Sequence, residues 1–203
     1  MSDRLIIFTR YPEPGKAKTR LIPALGDVAA ADLHRQMTEQ TLAQVKLLQQ
    51  SHPVSVEVWF AGGNADRMQI WLGADLQYQP QPKGDLGDRM VQAFQVGFDR
   101  DVKASVIIGT DCPELTAALL TAAFQALQQT DLVLGPATDG GYYLIGLRRS
   151  APELFESISW STERVFQQTV DIASKLNLSL SCLPMLTDVD RPEDLPVWGR
   201  FKV

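Results

Sequence analysis

The stretch Ser105-Val106-Ile107-Ile108-Gly109-Thr110-Asp111-Cys112-Pro113 decides how this chain folds. Its first five residues form a continuous apolar run rich in β-branched side chains, the composition of a strand buried on both faces. Thr110-Asp111-Cys112-Pro113 breaks that strand, and a helical pattern resumes from Thr116 to residue 128. Strand, polar break and helix in immediate succession make one unit of a parallel sheet, and the unit recurs on both sides.

Upstream, residues 5–8 read as a buried central strand, followed by a polar Pro/Gly loop over residues 10–23. Apolar residues then recur at helical spacing across residues 28–50 (Leu33, Met37, Leu42, Val45, Leu48), and His52-Pro53 closes that helix. A strand over 54–60, a helix over 65–72, a short strand over 76–79, a turn-rich loop over 81–87 and a helix over 88–99 complete this half. Downstream, strands over 131–135 and 142–147 flank Ala137-Thr138-Asp139-Gly140-Gly141. Ser161 or Thr162 is suited to cap a helix running to about Leu176, and residues 178–183 read as a late strand. The alternation predicts an α/β domain spanning residues 1–203, with a largely parallel sheet covered on both faces and ligands beyond the carboxyl ends of its strands.

Composition narrows the function. A chain of 203 residues can bury roughly 70% of the surface its unfolded form exposes, so it needs no staples. Its two cysteines, Cys112 and Cys182, lie far apart without CxxC spacing, which predicts neither disulfide nor zinc site and makes a reducing cytoplasm the simplest home. The apolar run at residues 5–8 is too short to span a membrane. A net charge of −5 argues against coating nucleic acid, so any anion site must be local. With only His34 and His52, both expected at the surface, a histidine-ligated metal or a Ser-His-Asp triad has little support.

Four constellations carry chemistry. Arg10, Lys16, Lys18 and Arg20 place four cations in the loop leaving the first strand, where backbone amides near Gly15 can form a nest for phosphate oxygens; a solvated loop is the plainer reading. Asp111, at the end of the best strand, can reach the crevice or serve as a turn residue. Asp139-Gly140-Gly141 lets backbone approach a ligand or simply joins two strands. Asp188 and Asp190, one residue apart, face the same way if extended and suit a hard cation, Mg²⁺ or Mn²⁺, or else open a C-terminal helix with Asp190 as its cap. Tyr142, Tyr143 and Trp160 suit a sugar or base pocket, or the core.

Five segments together identify a resemblance: Phe8-Thr9-Arg10-Tyr11-Pro12-Glu13-Pro14-Gly15-Lys16-Ala17-Lys18-Thr19-Arg20-Leu21, Gly84-Asp85-Leu86-Gly87-Asp88-Arg89-Met90, Ile108-Gly109-Thr110-Asp111-Cys112-Pro113, Gly135-Pro136-Ala137-Thr138-Asp139-Gly140-Gly141-Tyr142-Tyr143-Leu144 and Asp188-Val189-Asp190-Arg191-Pro192-Glu193-Asp194-Leu195. The chain resembles the DUF2064 family, which is similar to GT-A nucleotide-diphospho-sugar transferases and to phospholactate guanylyltransferases. The resemblance implies a three-layer αβα, Rossmann-like GT-A fold with a mostly parallel mixed sheet. It sets Asp111 in the place of the metal-binding acid. Here the sequence is Thr-Asp-Cys instead of a literal DxD, so a more distant second ligand, Asp188 or Asp190, is expected. Relatives usually read Asp-Val-Asp-Thr-Pro in the last segment, where this chain has Arg191, and often carry lysine where it has Arg10.

On this reading a nucleotide-activated donor, with a nucleotide-diphospho-sugar first, passes its group to a small acceptor. Asp111, Asp139 and Lys18 carry the chemistry. Arg10, Gly15, Lys16, Lys18 and Arg20 bind phosphate, and Gly84, Asp85 and Gly87 border the nucleoside. Gly140, Gly141, Tyr142 and Trp160 line the sugar or acceptor pocket, and Asp111, Asp188 and Asp190 hold Mg²⁺ or Mn²⁺. Nucleotidyl transfer with release of pyrophosphate, and a nucleotide-binding module without turnover, are the alternatives.

Overall fold

The computed structural model describes residues 3–201; Met1, Ser2, Lys202 and Val203 lie outside it. Seven strands form one mixed sheet: β1 (Asp3–Arg10), β2 (Val54–Ala61), β3 (Gln77–Pro80), β4 (Ser105–Ile108), β5 (Leu132–Pro136), β6 (Tyr142–Leu147) and β7 (Leu180–Cys182). Their spatial order is β3-β2-β1-β4-β6-β5-β7. Every neighbouring pair is parallel except those made by β6, which runs against both β4 and β5.

Side-chain alternation explains the layers. Leu5 and Ile7 of β1 face one core and Ile6 the other, and all three are buried, each contributing about 1.5–3 kcal/mol of apolar transfer. After the short α1 (Ile22–Leu25), the first face is covered by α2 (Asp27–Ser51), α3 (Ala65–Leu72) and α5 (Ala117–Ala126), through Val45, Met68 and Phe124 among others. The second is covered by α4 (Leu86–Phe98) and α6 (Val165–Lys175), through Met90, Phe94 and Ala173. A third, smaller cluster joins Leu33 and Met37 of α2 to Val189 and to Trp198 of the short C-terminal helix 195–199, and so anchors the last acidic segment beside the first loop. Among the described residues no helix is long and apolar enough to cross a membrane.

Where boundaries moved, local hydrogen bonding moved them. The helix expected from Asp88 begins at Leu86, because Asp85 accepts from the Asp88 amide while Asp88 accepts from the Asp85 amide, a reciprocal cap. The helix expected from Ser161 or Thr162 begins only at Val165: Ser161 has φ +64, and Thr162 spends its hydroxyl on the Ser159 carbonyl. In the last segment Asp194, not Asp190, accepts the amides of Asp190 and Arg191, and the chain turns as a short 3₁₀ helix over Pro192–Asp194.

A buried ion pair joins the first two strands. Arg4 donates to Glu57 at 3.0 and 2.5 Å and to the Ala93 carbonyl of α4 at 2.6 Å, and the Trp59 indole also donates to Glu57. Burial works against the Glu57 carboxylate, but Arg4 and Trp59 overcome it and hold its pKa below the ordinary value.

Candidate functional site

The chain leaves β1 on one side for β2, while β4 lies against its other side, so a crevice opens beyond the carboxyl ends of β1 and β4. Three cavities with shared walls occupy this end of the sheet. One borders Arg10, Lys18, His34, Gln81, Arg89 and Asp111. The middle one, about 280 Å³, is lined by Arg20, Leu86, Asp111, Cys112, Asp139, Gly141, Tyr142, Trp160 and Asp188. The outer one takes in Arg20, Asp139, Asp188, Asp190, the 159–164 loop and Arg191.

Lys18 organises their junction. Its backbone is left-handed (φ 48°, ψ 46°), and its side chain is only 3% exposed. The ammonium donates to the Val189 carbonyl at 2.6 Å and lies 2.8 Å from Asp111 Oδ1 and 3.8 Å from Asp190 Oδ1. The Val189 amide in turn donates to the Asp111 carbonyl at 2.8 Å, so the first loop, the end of β4 and the last acidic segment are tied at one point. Burial opposes ionisation of Asp111, but the Lys18 charge, helped by His34, outweighs it and keeps the carboxyl below its usual pKa.

Arg20 follows the same turn and donates to Asp190 Oδ2 at 2.6 Å, while lining both the middle and outer cavities. Both oxygens of Asp190, expected as metal ligands, therefore already face protein cations. Lys16 is different: it is exposed, pairs with Glu13 at 3.0 Å and borders none of the three cavities. The nest expected near Gly15 is also filled from within, because the amides of Lys16 and Ala17 both donate to the Glu13 carbonyl.

Asp188 and Asp139 complete the acidic wall. Burial, then the nearby Asp139 charge and, more weakly, Asp111, raise the Asp188 carboxyl to about 6. Among the described residues no three His, Cys, Asp or Glu side chains are already disposed around a metal position. The donor set still fits a hard divalent ion: Asp111, Asp139 and Asp188 line one cavity, and the repulsion carried by Asp188 is what such an ion relieves. Asp139 also accepts from the Gly141 amide at 2.8 Å, which fixes its turn. Gly140 (φ +87°) is required there by its own chain, since a Cβ would collide with the Glu163 backbone.

The glycine-rich loop before α4 reaches the middle cavity through Leu86; Gly84, Asp85 and Gly87 do not line it. Gly84 gives its carbonyl to Arg89, Asp85 caps α4, and Gly87 allows Trp160 to lie flush against the helix, where a Cβ would fall 2.8 Å from the indole. Trp160, Tyr142 and Tyr143 all border the cavity, and Tyr143, otherwise buried, donates to the Pro184 carbonyl.

His34 corrects the expectation of a surface histidine. It is 6% exposed, its Nε2 lies 2.9 Å from the Arg10 carbonyl, and its Nδ1 lies 4.0 Å from Asp111 Oδ1. Burial, the largest influence, lowers its pKa. Thr9, Thr38 and Thr110 make a hydroxyl cluster beside it at 3.2–3.3 Å. The signal was present, since His34 stands three residues before Met37 on the buried stripe of α2, but a lone polar residue on such a helix is ordinarily solvated. Cys112, beside Asp111, has its thiol pushed well up by burial, which disfavours the thiolate.

Comparison with known proteins fits this geometry. The family profile described as "Uncharacterized protein conserved in bacteria (DUF2064)" matches residues 41–162. A crystal structure from Desulfovibrio desulfuricans G20, provisionally named a nucleotide-diphospho-sugar transferase, is 36% identical, with a TM-score of 0.91 over 99% of this chain and 88% of that one. CMP:2-keto-3-deoxy-manno-octonic acid synthetase complexed with CTP aligns over 99% of this chain and 98% of its own, with a TM-score of 0.59 at 13% identity. Rv0371c of Mycobacterium tuberculosis H37Rv, complexed with manganese, aligns over 97% of both chains, with a TM-score of 0.54 at 12% identity. No curated protein matches the sequence. The chain has the nucleotide-diphospho-sugar transferase fold, as its sequence motifs implied.

Proposed function

The chain belongs to the DUF2064 family, and from that premise we propose that it is a metal-dependent transferase acting on a nucleotide-activated donor, with a nucleotide-diphospho-sugar as the preferred donor class. One observation carries the reading. Lys18 Nζ, 2.8 Å from Asp111, joins the basic loop to the carboxylates at the switch point, and Arg20 faces Asp139 and Asp188 across the same cleft. Cations and acids from distant segments meet where a polyphosphate needs both. The name of the 36%-identical relative supports the sugar-nucleotide class.

Asp188, with Asp111 or Asp139, would hold Mg²⁺ or Mn²⁺, and the manganese complex of a protein sharing the fold supports that choice. When bound, the ion neutralises charge on the leaving diphosphate. Arg20 and Arg10 supply the protein's own contacts to phosphate, Lys18 holds Asp111 ionised and oriented, and Leu86 and Trp160 cover the apolar side of the cleft. The acceptor hydroxyl oxygen bonds to the anomeric carbon as that carbon's bond to the diphosphate oxygen breaks. The nucleoside diphosphate leaves with the electron pair, and the hydroxyl proton passes to a carboxylate, a role we give to Asp139, whose turn is held by the Gly141 amide.

Nucleotidyl transfer is the second reading, favoured by the CTP-bound synthetase of the same fold. There an acceptor oxygen attacks the α-phosphorus of a triphosphate and pyrophosphate leaves. Purified protein with Mg²⁺ or Mn²⁺ separates the two. Nucleoside diphosphate released from sugar nucleotides supports the first, pyrophosphate released from triphosphates supports the second, and neither product leaves a binding module. Asp111→Asn should abolish metal-dependent turnover; unchanged turnover removes Asp111 from the mechanism.

A further inference from the structure

The outer cavity, about 650 Å³, shares Arg20, Asp139 and Asp188 with the middle one but not Asp111. Two further cations reach it from separate segments, Arg164 from the end of the 159–164 loop and Arg191 from the last acidic segment. Arg20 is paired with Asp190, but neither Arg164 nor Arg191 forms an ion pair among the described residues. Five acids share the chamber: Asp190 is paired with Arg20, Asp194 accepts two backbone amides and Asp139 the Gly141 amide, while Glu163 and Asp188 form no ion pair among the described residues. Two guanidiniums without an ion pair line one concave space with these acids, and they are the donors still available to an incoming oxyanion.

The wall that presents Arg164 is ordered before any ligand arrives. Thr162 donates to the Ser159 carbonyl at 2.7 Å, the Phe166 amide donates to the Gly140 carbonyl at 2.8 Å, and the Gly140 turn packs directly under Glu163. Little loop entropy is then lost on binding. Arginine presents a planar fork of donors matched to two oxygens of one oxyanion, which lysine lacks.

We propose that this outer chamber is the acceptor subsite and that it selects acceptors bearing a phosphate or carboxylate group, gripped by Arg164 and Arg191. The word acceptor rests on the transferase reading above; the anion site does not. Asp139, on the wall between the chambers, then stands beside an acceptor whose charged end is held by the two arginines. Arg191 becomes a specificity residue peculiar to chains that carry it.

Calorimetric titration of the full chain with inorganic phosphate, and separately with acetate, tests the site. The comparison is the Arg164→Gln/Arg191→Gln double variant, whose changed side chains are exposed and leave the core intact. At least one oxyanion should bind the wild type and lose tenfold or more in affinity in the double variant, and the stronger of the two names the acceptor's charged group. The thermal shifts given by CTP, GTP and UDP-glucose should be the same in both proteins. Equal oxyanion binding by both, or no binding by the wild type, overturns the proposal. A parallel loss of the nucleotide shifts also overturns it, because the arginines then belong to the donor. If no nucleotide shifts the wild type while the double variant still loses its oxyanion, the transferase reading fails and the anion site stands.

Discussion

Lys18→Met keeps the length and apolar stem of the side chain and deletes its charge. In the folded protein that charge lies 2.6 Å from the Val189 carbonyl, 2.8 Å from Asp111 and 3.8 Å from Asp190. Breaking a fully buried pair costs about 3–5 kcal/mol, and an exposed pair is worth about 0.2–1 kcal/mol. The lysine is buried, but the Asp111 and Asp190 side chains are 49% and 29% exposed, so water can rehydrate them and the loss falls between these limits, at about 2 kcal/mol. For a chain of this size that lowers the melting temperature by about 4–8 °C. A double-mutant cycle with Asp111→Asn, measured by urea denaturation, isolates the pair and should return a coupling of about 1 kcal/mol or more. The Asp111 carboxyl, freed from the Lys18 charge that holds it down, should also titrate at higher pH in the Lys18→Met protein, followed by NMR. Additivity within about 0.5 kcal/mol, together with an unmoved Asp111 titration, would refute the view that Lys18 is the tie between loop, strand and acidic segment.

Glu57→Ala strands the Arg4 charge, 1% exposed, beneath the sheet and should cost about 3–5 kcal/mol in urea denaturation. Because the folded Glu57 pKa is depressed, its contribution is complete above the unfolded value of about 4.3 and fades as pH falls through the folded value, so the gap between wild type and variant should narrow below about pH 4. Gly87→Ala brings a methyl group within 2.8 Å of the Trp160 indole and 3.1 Å of the Phe155 carbonyl; a loss of about 1–3 kcal/mol with a changed tryptophan emission is expected, and a raised melting temperature, as helix propensity alone would give, contradicts it. Lys16→Gln should leave nucleotide-induced thermal shifts intact, whereas Arg20→Gln should weaken nucleotide binding about tenfold or more; the reverse order would reassign the phosphate contacts.

The cleft also explains which sequence expectations survived contact with the fold. Gly140 was read as a place where backbone comes close to something, and its own chain supplies one such contact, the 163 backbone. Asp85 looked like a nucleoside contact because it sits in a glycine-rich loop, yet its side chain accepts the Asp88 amide while the Asp88 side chain accepts its own. His34 went unread because a lone polar residue on an amphipathic helix is ordinarily solvated, and its burial depends on Thr9, from the end of β1, which Thr110 in turn contacts from the loop after β4.

The strands and helices were legible because their signals are local: a buried strand is written in consecutive β-branched residues and a helix in apolar residues recurring every three or four, both fixed by backbone geometry within a few residues. From the loops' places after those strands followed the crevice, with Lys18, Arg20 and Asp111 at its rim. Tertiary structure alone decided which charge answers which. Lys16 and Lys18 are separated only by Ala17 and identical in chemistry, but the left-handed turn at Lys18 sends its ammonium inward to Asp111 while Lys16 pairs with Glu13 in water. Electrostatic partners are set by distance in space and by the water excluded between them, and neither quantity is encoded in the spacing of letters along a chain.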